Sequence, residues 1–353
     1  MKTPKELGYR MPAEWETHAA TQLHWPANRE TWPGERLERV EKVYVEIIKA
    51  LHLYEPIVLL VEPKVDTDEI VKKFIEQEID LSAVHIFSTP VNDFWARDCG
   101  PIFIKQNKKQ KFAITDWEYN AWGGKYPPYD ADNALPGWFS EAFGIEKFTP
   151  GIVLEGGSID TNGKGTFLTT ESVLLNKNRN PHLSKEQIEG YLADYLGAEK
   201  IIWLKDGLAG DDTDGHIDDL SRFLNENTIL TMISDNPDDV NYKSLQENYE
   251  ILKSAKNSAG EPFEIVTLPL PKTKIEGTTV DGSEYVPASY ANFYIANGVV
   301  LLPLYDERYD EQAVSLFKKY FPGRVVAGIP CADLVWGQGS IHCITQQLYG
   351  IDL

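Results

Sequence analysis

Long apolar runs are missing from this chain. No stretch approaches the ~20 consecutive apolar residues of a membrane span, and residues 1–10 are polar where a signal peptide would carry its apolar core. Cysteine is scarce. Cys99, Cys331 and Cys343 are odd in number, too few for a disulfide framework and spaced in no metal-binding pattern, which predicts a reducing, cytoplasmic setting. Basic side chains are in deficit: 34 Lys and Arg stand against 54 Asp and Glu, and the net charge of -20 argues against nucleic acid or an anionic membrane surface as a partner. A small cationic substrate is compatible with that balance. No linker or low-complexity segment divides residues 1–353, so a single domain is expected, and 42% hydrophobic side chains suffice for a substantial core. Composition leaves a homo-oligomer open.

What the chain does have is alternation of helix and strand. Leu37, Val40, Tyr44, Ile47 and Leu51 recur at three- and four-residue steps and predict an amphipathic helix, followed by a buried strand over 56–61. A second helix over 66–78 should bury Ile70, Val71, Phe74 and Ile75, with the next strand over 84–88. Residues 101–104 and 111–117 read as a hairpin, and the Gly/Pro/Tyr-rich stretch 121–136 as an irregular loop suited to a substrate lid. Ser184 should cap a helix over 185–196.

A turn leading into a strand recurs: Arg97-Asp-Cys-Gly-Pro-Ile-Phe-Ile, Glu155-Gly-Gly-Ser-Ile-Asp, Asp214-Gly-His-Ile-Asp, Ser289-Tyr-Ala-Asn-Phe-Tyr-Ile and Gln338-Gly-Ser-Ile-His-Cys-Ile. The spacing falls in the range of repeat units, and we read five ββαβ-like units around a central axis with their turns converging on one site. Ordinary α/β turns without symmetry are the plainer alternative.

The same turns carry the reactive side chains. Cys343 is a candidate nucleophile leaving a glycine turn. With 340–347 extended, Ile341, Cys343 and Thr345 would share one face and His342 the other, so the adjacent His342 is a poor base for the thiol. Gly337 and Gly339 suit close approach by a ligand. On a strand, His216 and Asp218 would face the same way, pairing a proton-transfer group with a carboxylate. The acidic run 211–219 has the wrong ligand order for a calcium loop and one His is thin for zinc, which leaves a metal site and a solvated acidic loop as competing readings beside catalysis. Asp98 follows Trp95, an aromatic able to pack on a planar cation, although Arg97 could simply pair with Asp98. Glu155 stands beside Gly156 and Gly157. Each block alone also admits a structural reading, Cys343 as a buried thiol in a core strand among them.

In this order, with Met11-Pro-Ala-Glu-Trp15 before them and Ile341-His-Cys-Ile-Thr-Gln-Gln347 at the end, the blocks resemble the agmatine deiminases of the guanidino-group-modifying superfamily over nearly the whole chain. The resemblance implies a five-bladed pseudosymmetric α/β-propeller, the pentein fold, around one narrow pocket. It makes Cys343 the nucleophile, His216 the general acid/base, Asp98 and Asp218 the carboxylates gripping the guanidinium, Glu155 a supporting acid, Trp95 a pocket wall and Asp212 the acid for the substrate's primary amine. It implies hydrolysis of agmatine to N-carbamoylputrescine and ammonia through an amidino-cysteine, with no metal or organic cofactor; peptidyl-arginine or free arginine is the alternative substrate. Two positions depart from the family's usual pattern: Gly337-Gln-Gly-Ser340 replaces Gly-Gly-Gly-Asn, and Asp219 stands where many members carry Asn. Carboxylates crowding Cys343 should hold its thiol at or above the ordinary value of roughly 8.5 until a cation arrives.

Overall fold

Each amphipathic segment forms a helix close to where its apolar spacing places it. Arg36–Leu51 buries Leu37, Val40, Tyr44, Ile47 and Leu51. Lys185–Leu196 opens on a complete capping box, Ser184 accepting from Gln187 N while the Gln187 side chain accepts from Ser184 N. The structure is a computed structural model that describes residues 2–106, 108–272, 279 and 282–353. Among these residues no helix is long and apolar enough to cross a membrane.

The strands form five small sheets. Four of them start with an antiparallel pair and cross over through a helical segment to a parallel third strand. Their pairs are Ile102–Gln106 with Lys111–Thr115, Asp160–Thr161 with Thr166–Thr170, Ser221–Asn225 with Thr228–Ile233, and Tyr294–Ile295 with Val299–Leu304. The parallel partners are Lys147–Phe148, Lys200–Leu204, Glu264–Pro269 and Val325–Pro330. The fifth sheet joins the two ends of the chain. Gln346–Leu348 runs antiparallel to Ala20–His24, which continues in parallel to Ile57–Val61 and Val84–Ser88. This is the ββαβ repeat expected from the sequence, built as the blades of an α/β-propeller.

Five short turns precede the first strand of each blade: Ala96–Cys99, Gly156–Ser158, Ile217–Asp219, the turn over 289–292, and Ile341–Ile344. They touch in sequence around the centre. Gly157 N donates to Asp98 Oδ1 (3.0 Å), Gly157 lies against His216, Asn292 Nδ2 donates to Asp219 Oδ1 (2.9 Å), His342 N donates to Asn292 O (3.1 Å), and Arg97 Nε donates to His342 O (3.3 Å). The ring is closed by hydrogen bonds as well as by packing.

Four local expectations are corrected. Residues 340–347 are not one extended run: Ile341–Ile344 is a helical turn because the amides of His342 and Cys343 bend toward Asn292 Oδ1 (2.9 and 3.4 Å), and only Gln346–Leu348 is strand. Ile217–Asp219 is likewise a 3₁₀ turn with His216 at its N-cap, so the alternation argument for His216 and Asp218 does not hold. In the second helix, Thr67–Glu76, Ile70 and Phe74 form the buried stripe, whereas Ile75 is 61% exposed and Val71 half-buried. Finally, 121–136 is not structureless. It contains Ala121–Gly124, Asp130–Asn133 and the start of Leu135–Phe143, where Pro136 sits in the first turn and forfeits no helical hydrogen bond.

Candidate active site

The five central turns bring Asp98, Gly157, His216, Asp218, Asn292 and Cys343 to one point. A Cβ placed on Gly157 would lie 2.6 Å from His216 Nδ1, 2.7 Å from Asp98 Oδ1 and 3.1 Å from Asp218 Oδ2, so the space above this glycine belongs to three functional side chains. Cys343 Sγ lies 3.8 Å from Asp218 Oδ2 and accepts from Asn292 Nδ2 at 3.1 Å. The orientation of the Asn292 amide is fixed, because its Oδ1 takes the His342 N–H and leaves Nδ2 for Asp219 and the sulfur. His216 is fully buried and its Nδ1 is 3.6 Å from Asp98 Oδ1, too far for a hydrogen bond.

Several buried polar atoms here have no partner within the protein: both His216 nitrogens, Asp218 Oδ1, Asp219 Oδ2 and Glu155 Oε2. Buried polar atoms are nearly always satisfied, and each orphan costs about 1–3 kcal/mol. Three of the five are carboxyl oxygens, acceptors suited to a cation that can only donate.

Electrostatics follow from that crowding. Burial, then Glu155, raise Asp98 to about 7, although the N–H groups of Trp122 (2.9 Å) and Gly157 (3.0 Å) pull it down. Burial drives Asp218 and Asp219 well above the ordinary carboxyl range, each helped by neighbouring carboxyl groups, Asp98 first for Asp218 and Asp218 first for Asp219. The Cys343 thiol is raised by burial and then by Asp218, Asp219 and Asp98. His216 is pushed the other way, well below its usual value, by burial and by Arg179. The site therefore favours neutral forms of Asp218, Asp219, the Cys343 thiol and the His216 imidazole.

A narrow cavity of about 50 Å³ leads to the sulfur, lined by Trp95, Asp98, Trp122, Tyr126, Asp212, Gly337, Gly339 and Cys343 among others. Gly339 packs so closely on the Trp95 ring that a side chain there would displace it. Trp122 reaches the cavity through positive φ at Ala121 (49°) and Trp122 (53°), a conformation that costs an L-residue energy and aims its indole N–H at Asp98. Asp212 stands at the mouth, 3.3 Å from Lys125 Nζ and hydrogen-bonded by the Tyr126 hydroxyl.

The family model for Porphyromonas-type peptidyl-arginine deiminases matches residues 10–348. The chain belongs to this family. It is 42% identical over 345 residues to a Legionella pneumophila (strain Paris) relative carrying a provisional agmatine deiminase name, covering 98% of this chain and 96% of that one. Agmatine deiminase of Enterococcus faecalis has a similar structure, with TM-score 0.89, 32% identity, and 99% and 98% of the two chains covered. A cysteine-to-serine variant of C. jejuni agmatine deiminase with substrate bound gives TM-score 0.85 at 33% identity, covering 97% of each.

Against the site expected for this deiminase family, Asp98, Trp95, Asp212, Gly337, Gly339 and Cys343 all line the cavity. His216 and Asp218 lie one layer deeper, against Gly157. Glu155 is buried and held by Arg179, whose Nε donates to its Oε1 at 2.5 Å. The alternative pairing of Arg97 with Asp98 does not form: Arg97 reaches Glu14 Oε2 (3.4 Å) and the His342 carbonyl. Sequence reasoning missed Arg179, Trp122, Glu14 and the role of Asn292. Asn292 had a signal, its place in the fourth recurring turn, whereas Arg179 in an ordinary polar loop had none. Among the described residues, the acidic, thiol and imidazole atoms near enough to share a metal ion are those of Asp218, Asp219 and Cys343, within 4.8 Å of one another.

Proposed function

We propose that the protein is an agmatine deiminase, hydrolysing agmatine to N-carbamoylputrescine and ammonia. One observation carries this reading: the His216 imidazole and the Asp98 and Asp218 carboxyl groups meet over Gly157, and the buried Cys343 sulfur lies 3.8 Å from the same Asp218. A guanidinium is a delocalised, poor electrophile, so it must be oriented, held in charge and met by a strong nucleophile. Asp98 and Asp218 grip its nitrogens, with Glu155, fixed by Arg179, supporting from behind. As the Cys343 sulfur attacks the central carbon, neutral His216 takes the thiol proton and passes it to the amino group that leaves as ammonia, giving an amidino-cysteine that keeps the positive charge of the guanidinium. Water, deprotonated by His216, adds to that carbon and expels the thiolate.

Asn292 holds the sulfur in line by its N–H contact. Trp95 and Trp122 flank the alkyl chain, and Asp212 receives the primary amine at the mouth. All five blades contribute, so residues 1–353 work as one domain. Three buried free thiols support a cytoplasmic setting.

A second reading has one contact in its favour. Lys125 touches Asp212 and Asp214 (3.0 Å) at the mouth, where a substrate carboxylate would need a basic partner. Assaying ureido product and ammonia from agmatine, free arginine and a peptidyl-arginine separates the two. Agmatine should exceed both by at least about 100-fold in kcat/KM, the cost of leaving polar groups unpaired. Preference for either arginine substrate would reverse the assignment.

A further inference from the structure

Behind the cavity lies a buried imidazole that the proposed chemistry does not use. His342 points away from the sulfur of Cys343 and spans two carboxyl groups: its Nδ1 is 2.7 Å from Asp218 Oδ2 and its Nε2 is 2.8 Å from Glu14 Oε2. Both contacts are hydrogen bonds by length, so each holds a proton. Counting protons decides where they sit.

Glu14 Oε2 also accepts from Arg222 Nη2 (2.9 Å) and Arg97 Nη2 (3.4 Å), and Glu14 Oε1 accepts from Ile295 N (2.7 Å). Four lone-pair contacts of this kind leave a carboxyl group no room for its own proton, and Glu14 is accordingly held far below the carboxyl range, its charge partners outweighing its burial. The Nε2 proton therefore belongs to His342. The second proton lies in the Nδ1···Oδ2 contact, either on Asp218 with a neutral imidazole or on His342 as an imidazolium beside an ionised Asp218.

Everything facing that contact bears on the choice. Asp218 sees Asp98, Asp211, Asp219 and Cys343 on one side, and Arg97 and Arg222 on the other. His342 sees the same two arginines and Glu14. In the empty site the acids keep the proton on Asp218, and the arginines oppose a second positive charge on His342. A guanidinium against Asp218 reverses the balance, because it favours the ionised carboxylate at short range.

We propose that Glu14, His342 and Asp218 form a proton relay in which guanidinium binding moves the shared proton from Asp218 Oδ2 to His342 Nδ1, so that Asp218 becomes a carboxylate only when a cation is there to meet it. The O–H bond breaks, an N–H bond forms, Nε2 keeps its proton, and the three groups carry the same total charge before and after. His342 is a positioning residue: it never touches the substrate, and it spares the enzyme expelling a proton into water from a sealed site. This rests on the reading of Asp218 as a guanidinium-gripping acid.

The test uses full-length protein labelled with ¹⁵N-histidine, with the His342 signals assigned by their loss in His342→Gln or, if that protein does not fold, in His342→Asn. Methylguanidinium is the probe, since it fills the carboxylate cradle whatever tail the natural substrate carries. At neutral pH the empty protein should show a neutral His342, protonated on Nε2 alone, and the saturated protein an imidazolium protonated on both nitrogens. Calorimetry in two buffers of different ionisation heat should find about one more proton released per methylguanidinium bound in the glutamine variant than in the wild type. An imidazolium already present in the empty protein, a neutral His342 after saturation, or equal proton release would overturn the relay. Turnover of agmatine by the same wild-type sample decides the deiminase reading separately: activity with an unchanged His342 sinks the relay alone, and absence of turnover together with failure of methylguanidinium to bind sinks both.

Discussion

Burial and three acids act on the Cys343 thiol in one direction, upward, and a backbone hydrogen bond at Ser340 opposes them. The thiol should thus be unreactive until a cation neutralises its surroundings. Iodoacetamide alkylation of Cys343 followed against pH should give an empty-site value above the ordinary thiol and a lower one with a non-reacting guanidine that leaves the sulfur accessible; an empty-site value near about 6 would refute mutual activation. Asp219 offers a cleaner probe, since its Oδ1 accepts from Asn292 while its Oδ2 has no partner, so Asn fits with its NH₂ at Oδ2. Its folded pKa is raised above the unfolded value of about 3.9, so the neutral acid stabilises the fold below that value and the benefit is lost as pH rises through the folded value. Asp219→Asn should match the wild type near pH 4 and exceed it at pH 8 by a Tm difference on the order of 2 °C. A thermal scan at the two pH values checks this, and a constant gap would contradict it.

The central turns, rather than the sheets, are the elements that make the site. Gly157 shows why their backbone is constrained: a methyl group there would enter the space shared by His216, Asp98 and Asp218. Gly157→Ala should lower kcat/KM by about 100-fold or more, the scale of a 1 Å misplacement, with a much smaller loss of Tm because the new group meets the far ends of three side chains rather than backbone. Equal losses of Tm and activity would mark the glycine as structural. Helices with an apolar stripe, such as Arg36–Leu51 and Lys185–Leu196, were legible in the sequence because periodicity and caps encode them locally. The turns were legible as a recurrence but not in conformation. Residues 341–344 read as strand because Ile-His-Cys-Ile has strand propensity, whereas their helical bend is imposed by Asn292, 51 residues away from Cys343 in the chain. Cys343, Asp98 and His216 announced themselves as reactive types beside glycine. Arg179 and Glu14 did not, since their meaning lies in long-range ion pairs.

At the scale of the whole molecule, Glu14 ties the propeller together. From one side chain it reaches Ile295 N, Arg222, Arg97 and His342, in four different segments of the chain. Removing a buried, fully paired charge typically costs about 3–5 kcal/mol, because the groups left behind lose their counter-charge. Glu14→Ala should lower stability by that amount in urea unfolding at pH 7. Because its folded pKa is depressed, the contribution of Glu14 persists above the unfolded value of about 4.3 and fades only as pH falls below it, so the deficit of the variant should shrink in acid. A deficit under about 1 kcal/mol at pH 7 would show that the arginines find other partners.

The convergence of these five turns has a chemical signature. Acid-quenched wild-type protein, mixed with agmatine and digested, should carry on the Cys343 peptide an adduct with the mass of agmatine less ammonia, formed and lost at rates matching turnover, while Cys343→Ala shows neither adduct nor ureido product. Steady turnover with an unmodified Cys343 peptide, or ureido product from the alanine variant, would contradict the account.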